Sequence, residues 1–140
     1  MLVRRWSVAL SILSAAACSA SPPTAPAGAV LARFGGAGAA LVGTTREVQF
    51  STVCGTYRFP QALVPDANTG RFALGPILVP GGGSAQSALV LRGTVASGRL
   101  DLEVRYLTPA GEAGGTRFTL AQDQSPDYSN VACAASRSAS

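Results

Sequence analysis

Two carboxylates, Asp101 and Glu103, stand two residues apart in the run SALVLRGTVASGRLDLEVRYL over residues 87–107. In an extended strand that spacing puts both on one face, roughly 7 Å apart, a geometry that a glycosidase can use. There is no histidine in the chain, so imidazole-based triads and imidazole metal sites are excluded and carboxylates are the remaining acid–base groups. The segment Pro65-Asp66-Ala67-Asn68-Thr69-Gly70 has part of the oxygen spacing of a calcium loop. It lacks the third oxygen ligand before the glycine and the later bidentate glutamate. An Asx-type turn accounts for it better, with Asp66 and Asn68 bonding nearby backbone and Gly70 supplying positive φ. The glycines at 35, 36 and 38 do not form a dinucleotide-binding loop, because Leu41 breaks the spacing and no helix follows; close backbone packing or a bulge explains them.

The elements that hold Asp101 and Glu103 are two strands joined at Ser97-Gly98, a two-residue hairpin loop. This register opposes Val95 to Leu100, Leu91 to Val104 and Leu89 to Tyr106 on an apolar face. Thr94 then opposes Asp101, Arg92 opposes Glu103 and Val90 opposes Arg105 on a polar one. A one-residue slip would destroy both patterns. Both carboxylates thus have cross-strand partners, and solvation of a sheet surface explains them more simply than catalysis. No catalytic, cofactor-binding or metal-binding residue is assigned.

The next strand is predicted over 115–121, and Arg117 beside Glu103 sets its register, because the alternative would face Arg117 with Arg105. Glu103 is then flanked by Arg92 and Arg117 in a charge ladder across three strands. Phe118 and Leu120 join Leu89, Leu91, Val95, Leu100, Leu102, Val104 and Tyr106 on the inner face. Upstream, residues 39–43 and 46–53 read as a hairpin around Thr44-Thr45, with Leu41 opposite Val48 and Ala39 opposite Phe50. Residues 55–59 continue as a strand or bend, Leu63-Val64 reads as a short edge segment before Pro65, and a strand runs from Arg71 past Pro76 to Val79. Residues 80–86 and 108–114 read as loops by composition.

No window after the N-terminal region carries a helical period, and 16 glycines and 9 prolines interrupt nearly every candidate. The predicted fold is all-β: a single antiparallel meander of about seven strands over residues 33–140, closing as a barrel or folding as a sandwich, with one disulfide.

Residues 1–17 read as an export signal, with Arg4 and Arg5 ahead of an apolar stretch and Ala15-Ala16-Ala17 as a cleavage site. Cys18 follows directly, and the pattern resembles a bacterial lipoprotein signal in which that cysteine carries the lipid. Residues 18–32, rich in Ser, Pro, Thr and Ala, are expected to be a disordered tether to the membrane. With Cys18 assigned to the anchor, Cys54 and Cys133 remain as an even pair in an oxidising compartment and are predicted to form a disulfide. All 11 basic residues are arginine; without Arg4 and Arg5, nine arginines face seven acids. That excess, with no basic stripe and no aromatic stacking platform, excludes a nucleic-acid footprint.

Taken together, Phe34-Gly35-Gly36, Cys54-Gly55, the Asp66–Phe72 turn, the 93–102 hairpin, Phe118-Thr119-Leu120 and Cys133 resemble a group of small bacterial exported, lipoprotein-like β domains. These typically begin Trp-Gly-Gly, where this chain has Phe34, and share the two-cysteine frame. The resemblance implies a common fold and disulfide and brings no established activity.

The expected function is that of a non-catalytic binding or interaction module in the cell envelope, held at the membrane through Cys18 or secreted if not lipidated. Its partner would be met by the loops at 80–86 and 108–114. A barrel carrying a small apolar ligand is the first alternative, weakened by an inner face large enough to fill a small barrel. An inhibitor of a secreted hydrolase is the second; neither loop offers an aromatic or arginine anchor.

Overall fold

The computed structural model describes residues 25–79 and 87–133. The signal, Cys18, the tether as far as residue 24, the loop at 80–86 and the residues after Cys133 lie outside the described residues. Eight strands are present, rather than about seven: β1 (Arg33–Gly36), β2 (Ala39–Gly43), β3 (Val48–Thr52), β4 (Gly55–Phe59), β5 (Arg71–Val79), β6 (Ser87–Ala96), β7 (Arg99–Thr108) and β8 (Gly111–Gln122). The described residues contain no helix. The strands form one antiparallel sheet in the order β4-β3-β2-β1-β8-β7-β6-β5, nearly closed as a barrel.

The hairpin of β6 and β7 has the register its sequence dictates, with Arg92 paired to Glu103, Leu91 to Val104 and Val95 to Leu100. Ser97 and Gly98 both take positive φ, 48° and 74°, which matches the turn twist to that of the strands. Strand β8 joins β7 with Glu103 opposite Arg117 and Leu100 opposite Leu120, also as read from charge. Its start differs. The connection is the two-residue turn Pro109-Ala110, and residues 111–114 belong to the strand, so 108–114 is no loop. Between the pairs Val104–Thr116 and Tyr106–Ala113 the strand carries an extra residue, a β-bulge that bends this hairpin.

The first hairpin has the predicted faces in a different register: Leu41 opposes Phe50 and Gly43 opposes Val48. The shift is two residues, which preserves inside and outside. Its cause is a four-residue turn in which Thr44 Oγ1 donates to the Glu47 carbonyl at 2.9 Å and accepts from the Glu47 N–H at 3.1 Å. Ala39, Leu41, Val48 and Phe50 are buried, whereas Gln49 and Ser51 are not.

Strand β1 goes beyond the sequence reading, which ended the tether at this point. It pairs with β2 and, through Phe34 and Gly35, with β8, and so closes the sheet between its first and last strands. Gly35 and Gly36 make this possible. A Cβ on Gly35 would collide with the Gln124 carbonyl oxygen, and one on Gly36 would lie 2.7 Å from the Thr119 carbonyl oxygen. The chain after β8 crosses β1 here as a strap: the Asp127 N–H donates to the Gly36 carbonyl and the Gly38 N–H donates to the Asp127 carbonyl. The strap ends at Cys133, disulfide-bonded to Cys54 in the turn between β3 and β4, with Cα atoms 5.0 Å apart.

The core is one cluster that includes Phe34, Leu41, Phe50, Phe59, Leu74, Leu89, Leu91, Leu100 and Leu120. Residues 25–32, expected in the tether, contribute to it: Val30 and Ala32 pack on the cluster, and the Val30 N–H donates to the Leu63 carbonyl. Leu63 is fully buried at this end of the barrel. It forms no edge strand, because its carbonyl is taken by Val30 and Pro65 follows. Tyr106, expected inside, is 38% exposed although Leu89 opposite it is fully buried; Val95 and Phe118 are half-buried against the core.

Strands β4 and β5 are the two edges and approach each other without a ladder. Phe59 crosses the seam to reach Gly75, where a side chain on β5 would meet its ring at 3.2 Å. Beside it, β5 bulges between its Leu74–Leu91 and Ile77–Leu89 pairs.

Candidate functional site

Alternation along the four long strands sends one set of side chains to the core and the other to an outer face. Arg71, Thr94, Asp101 and Thr119 lie in one row across β5, β6, β7 and β8, and Ala73, Arg92, Glu103 and Arg117 form the next. This outer face carries a shallow, open depression of about 740 Å³, lined by Arg71, Arg92, Thr94, Arg99, Asp101 and Arg117 together with the apolar Phe72, Leu102 and Phe118.

Asp101 accepts hydrogen bonds from Thr119 Oγ1 at 2.9 Å and from Arg99 Nη2 at 3.0 Å and Nε at 3.2 Å. The Thr119 hydroxyl first, and Arg99 second, hold its carboxyl below the ordinary 3.8. Glu103 accepts from Arg105 Nη2 at 3.0 Å and lies 3.7 Å from Arg117 Nε. Arg105 accounts for most of the lowering of its carboxyl, and Arg117 adds to it. Arg92 faces Glu103 across the ladder as predicted, but its guanidinium bonds Glu112 at 2.8 Å. Glu112 also accepts from Arg105 Nη1 at 2.9 Å. The bulge opposite Arg105 lies between this contact and the Glu103–Arg117 pair. Gly115 permits it, since a Cβ there would lie 3.1 Å from Arg105 Cγ and 3.2 Å from Glu103 Cγ.

The three carboxylates of this face are thus all engaged by guanidinium groups. The guanidinium groups are not all balanced. Arg71 makes no ion pair among the described residues, and Arg117, with its side chain 82% exposed, reaches only a glutamate already bonded to Arg105. The carboxylate pair read from sequence is therefore on one strand face, as expected, and sits within a surface ion network.

The Asp66 segment is a turn. One carboxylate oxygen, Asp66 Oδ1, accepts from the Thr69 N–H at 2.8 Å, the Thr69 hydroxyl at 2.9 Å and the Asn68 N–H at 3.0 Å. Gly70 takes φ 67° and its N–H donates to the Asp66 carbonyl. Sequence reasoning missed Arg71 and Glu112 as members of the outer face. The signal for Glu112 was the pair Gly114-Gly115 opposite Arg105, which marks a bulge; Arg71 required the register of β5 with β6, which the composition of the 80–86 loop does not set.

The chain matches no protein-family model, no curated protein and no solved structure.

Proposed function

We propose that this chain is a non-catalytic, exported β domain, anchored to the cell envelope by lipid at Cys18, that serves as a binding module through the outer face of β5–β8. The observation that carries this reading is the arginine-rich surface, with its shallow depression, on a barrel whose inward side chains pack on one another. It replaces the loop at 108–114 as the expected contact region, since that stretch is mostly strand. The export and anchor part rests on Arg4, Arg5, the apolar stretch and Cys18 behind Ala15-Ala16-Ala17.

Two measurements test it. Metabolic labelling with palmitate should mark the wild-type chain and not Cys18→Ala; equal labelling of both overturns the anchor. Capture from envelope extract should be lost on Arg71→Glu/Arg117→Glu and kept when residues 80–86 are replaced by Gly-Ser. The opposite result returns the contact to the loop, and a small apolar molecule retained in native mass spectrometry would instead support a carrier.

A further inference from the structure

The outer face of β5–β8 has five guanidinium groups, Arg71, Arg92, Arg99, Arg105 and Arg117, against the three carboxylates of Asp101, Glu103 and Glu112. Arg71 and Arg117, the two with the poorest internal partners, stand on the outermost strands of the four. Three strand spacings separate them, roughly 14 Å. A ligand that bonds both without drawing the two side chains together carries anionic groups on about that spacing, which an oligomer supplies.

The backbone narrows the class. Strands β6 and β7 are paired on both sides, so the face offers no main-chain donors or acceptors to an extended peptide, which normally binds a sheet by adding to its edge. Recognition must run from side chain to side group. The charge density narrows it further. A surplus of two positive charges, interrupted by three carboxylates, fits single charges at wide intervals and disfavours a dense polyanion. The guanidinium groups already hold carboxylates in this network: Arg105 bonds two at once, and Arg99 donates to Asp101 Oδ1 through both Nε and Nη2. The hydroxyls of Thr94 and Thr119 line the same depression and can meet the hydroxyl groups of a sugar.

We propose that this face binds a carboxylated oligosaccharide, a linear uronate chain laid across β5–β8 between Arg71 and Arg117. The inference rests on the outer-face reading above and adds its ligand chemistry.

The test is calorimetric titration of the full-length chain with de-esterified oligogalacturonate, its neutral methyl ester, a sulfated oligosaccharide and oligoglutamate. Binding is expected for the uronate and not for the ester. Arg71→Ala and Arg117→Ala should each weaken it about tenfold, the effect of losing a hydrogen bond to a charged group. Arg46→Ala, on the turn between β2 and β3, should leave it unchanged. Absent uronate binding, equal binding of the ester, indifference to both face variants, or equal or tighter binding of oligoglutamate or the sulfated chain overturns the proposal. If uronate fails while envelope capture still depends on Arg71 and Arg117, only the ligand class falls. If capture is also indifferent, the binding face falls with it.

Discussion

Strands β1–β4 are four or five residues long, whereas β5–β8 run from nine to twelve. Each half presents a buried face to the same core, but the short strands offer few cross-strand pairs with which to hold themselves. Long-range attachments compensate: the strap over Gly35 and Gly36, the Asp127 backbone bonds and the disulfide from Cys54 to Cys133. The long half needs none of these, and its outer face is left open to solvent and rich in charge. Long strands thus support themselves through many cross-strand pairs, while short ones depend on distant parts of the chain.

Removing the disulfide should break this comparison most severely. Cys54→Ser/Cys133→Ser opens a loop of 79 residues, and the chain-entropy model predicts a loss of roughly 4 kcal/mol, read from urea denaturation. Hydrogen exchange should rise in β1–β4 before β6–β8; equal loss of protection in both halves would deny that the short strands depend more on the strap. Phe59→Ala, at the seam between the halves, should cost roughly 3 kcal/mol, at the low end for an aromatic deletion because the unpaired edges can close inward.

Acid sharpens the comparison without mutation. Asp66, Asp101, Glu103 and Asp127 all have carboxyls lowered from ordinary values of 3.8 or 4.5 by hydrogen bonds made in the fold. Their stabilisation is present above those ordinary values and is lost as pH falls below them through the lowered ones. Thermal midpoints should therefore be flat from pH 7 to about 5 and fall progressively below about 4.5. A midpoint unchanged down to pH 2 would show these bonds to be inconsequential. The smallest effect is expected at Ser97→Asn. Asn suits the positive φ of that turn, and the gain should not exceed about 0.5 kcal/mol.

The same contrast explains what could be read from the sequence. Every cross-strand pair predicted between β6 and β7 is present, and so is the Glu103–Arg117 register of β8, because alternation and opposite charge specify them locally. The first hairpin slipped by two residues because the Thr44 side chain builds a longer turn than its backbone spacing suggests. β1 was missed because Gly35 and Gly36 carry no side-chain pattern, and the reason for them lies some ninety residues away at Gln124 and Thr119. The polar face was legible as a ladder of Arg92, Glu103 and Arg117. The depression on it and the diagonal reach of Glu112 were not, since no charge pattern along the strands encodes either.

The pairing of β1 with β8 sets an order of events for a chain made from its N-terminal end. The hairpins of β1–β4 can form early, but among the described residues their only strand pairing with β5–β8 is through the last strand produced. Until β8 is available, β1 presents an unpaired edge and the core cluster is divided between two incomplete layers. Closure of the sheet thus waits on β8, and the strap that follows β8 in the chain crosses β1 only once that pairing is made. A chain cut before β8 should accumulate as an aggregation-prone intermediate rather than a smaller folded domain.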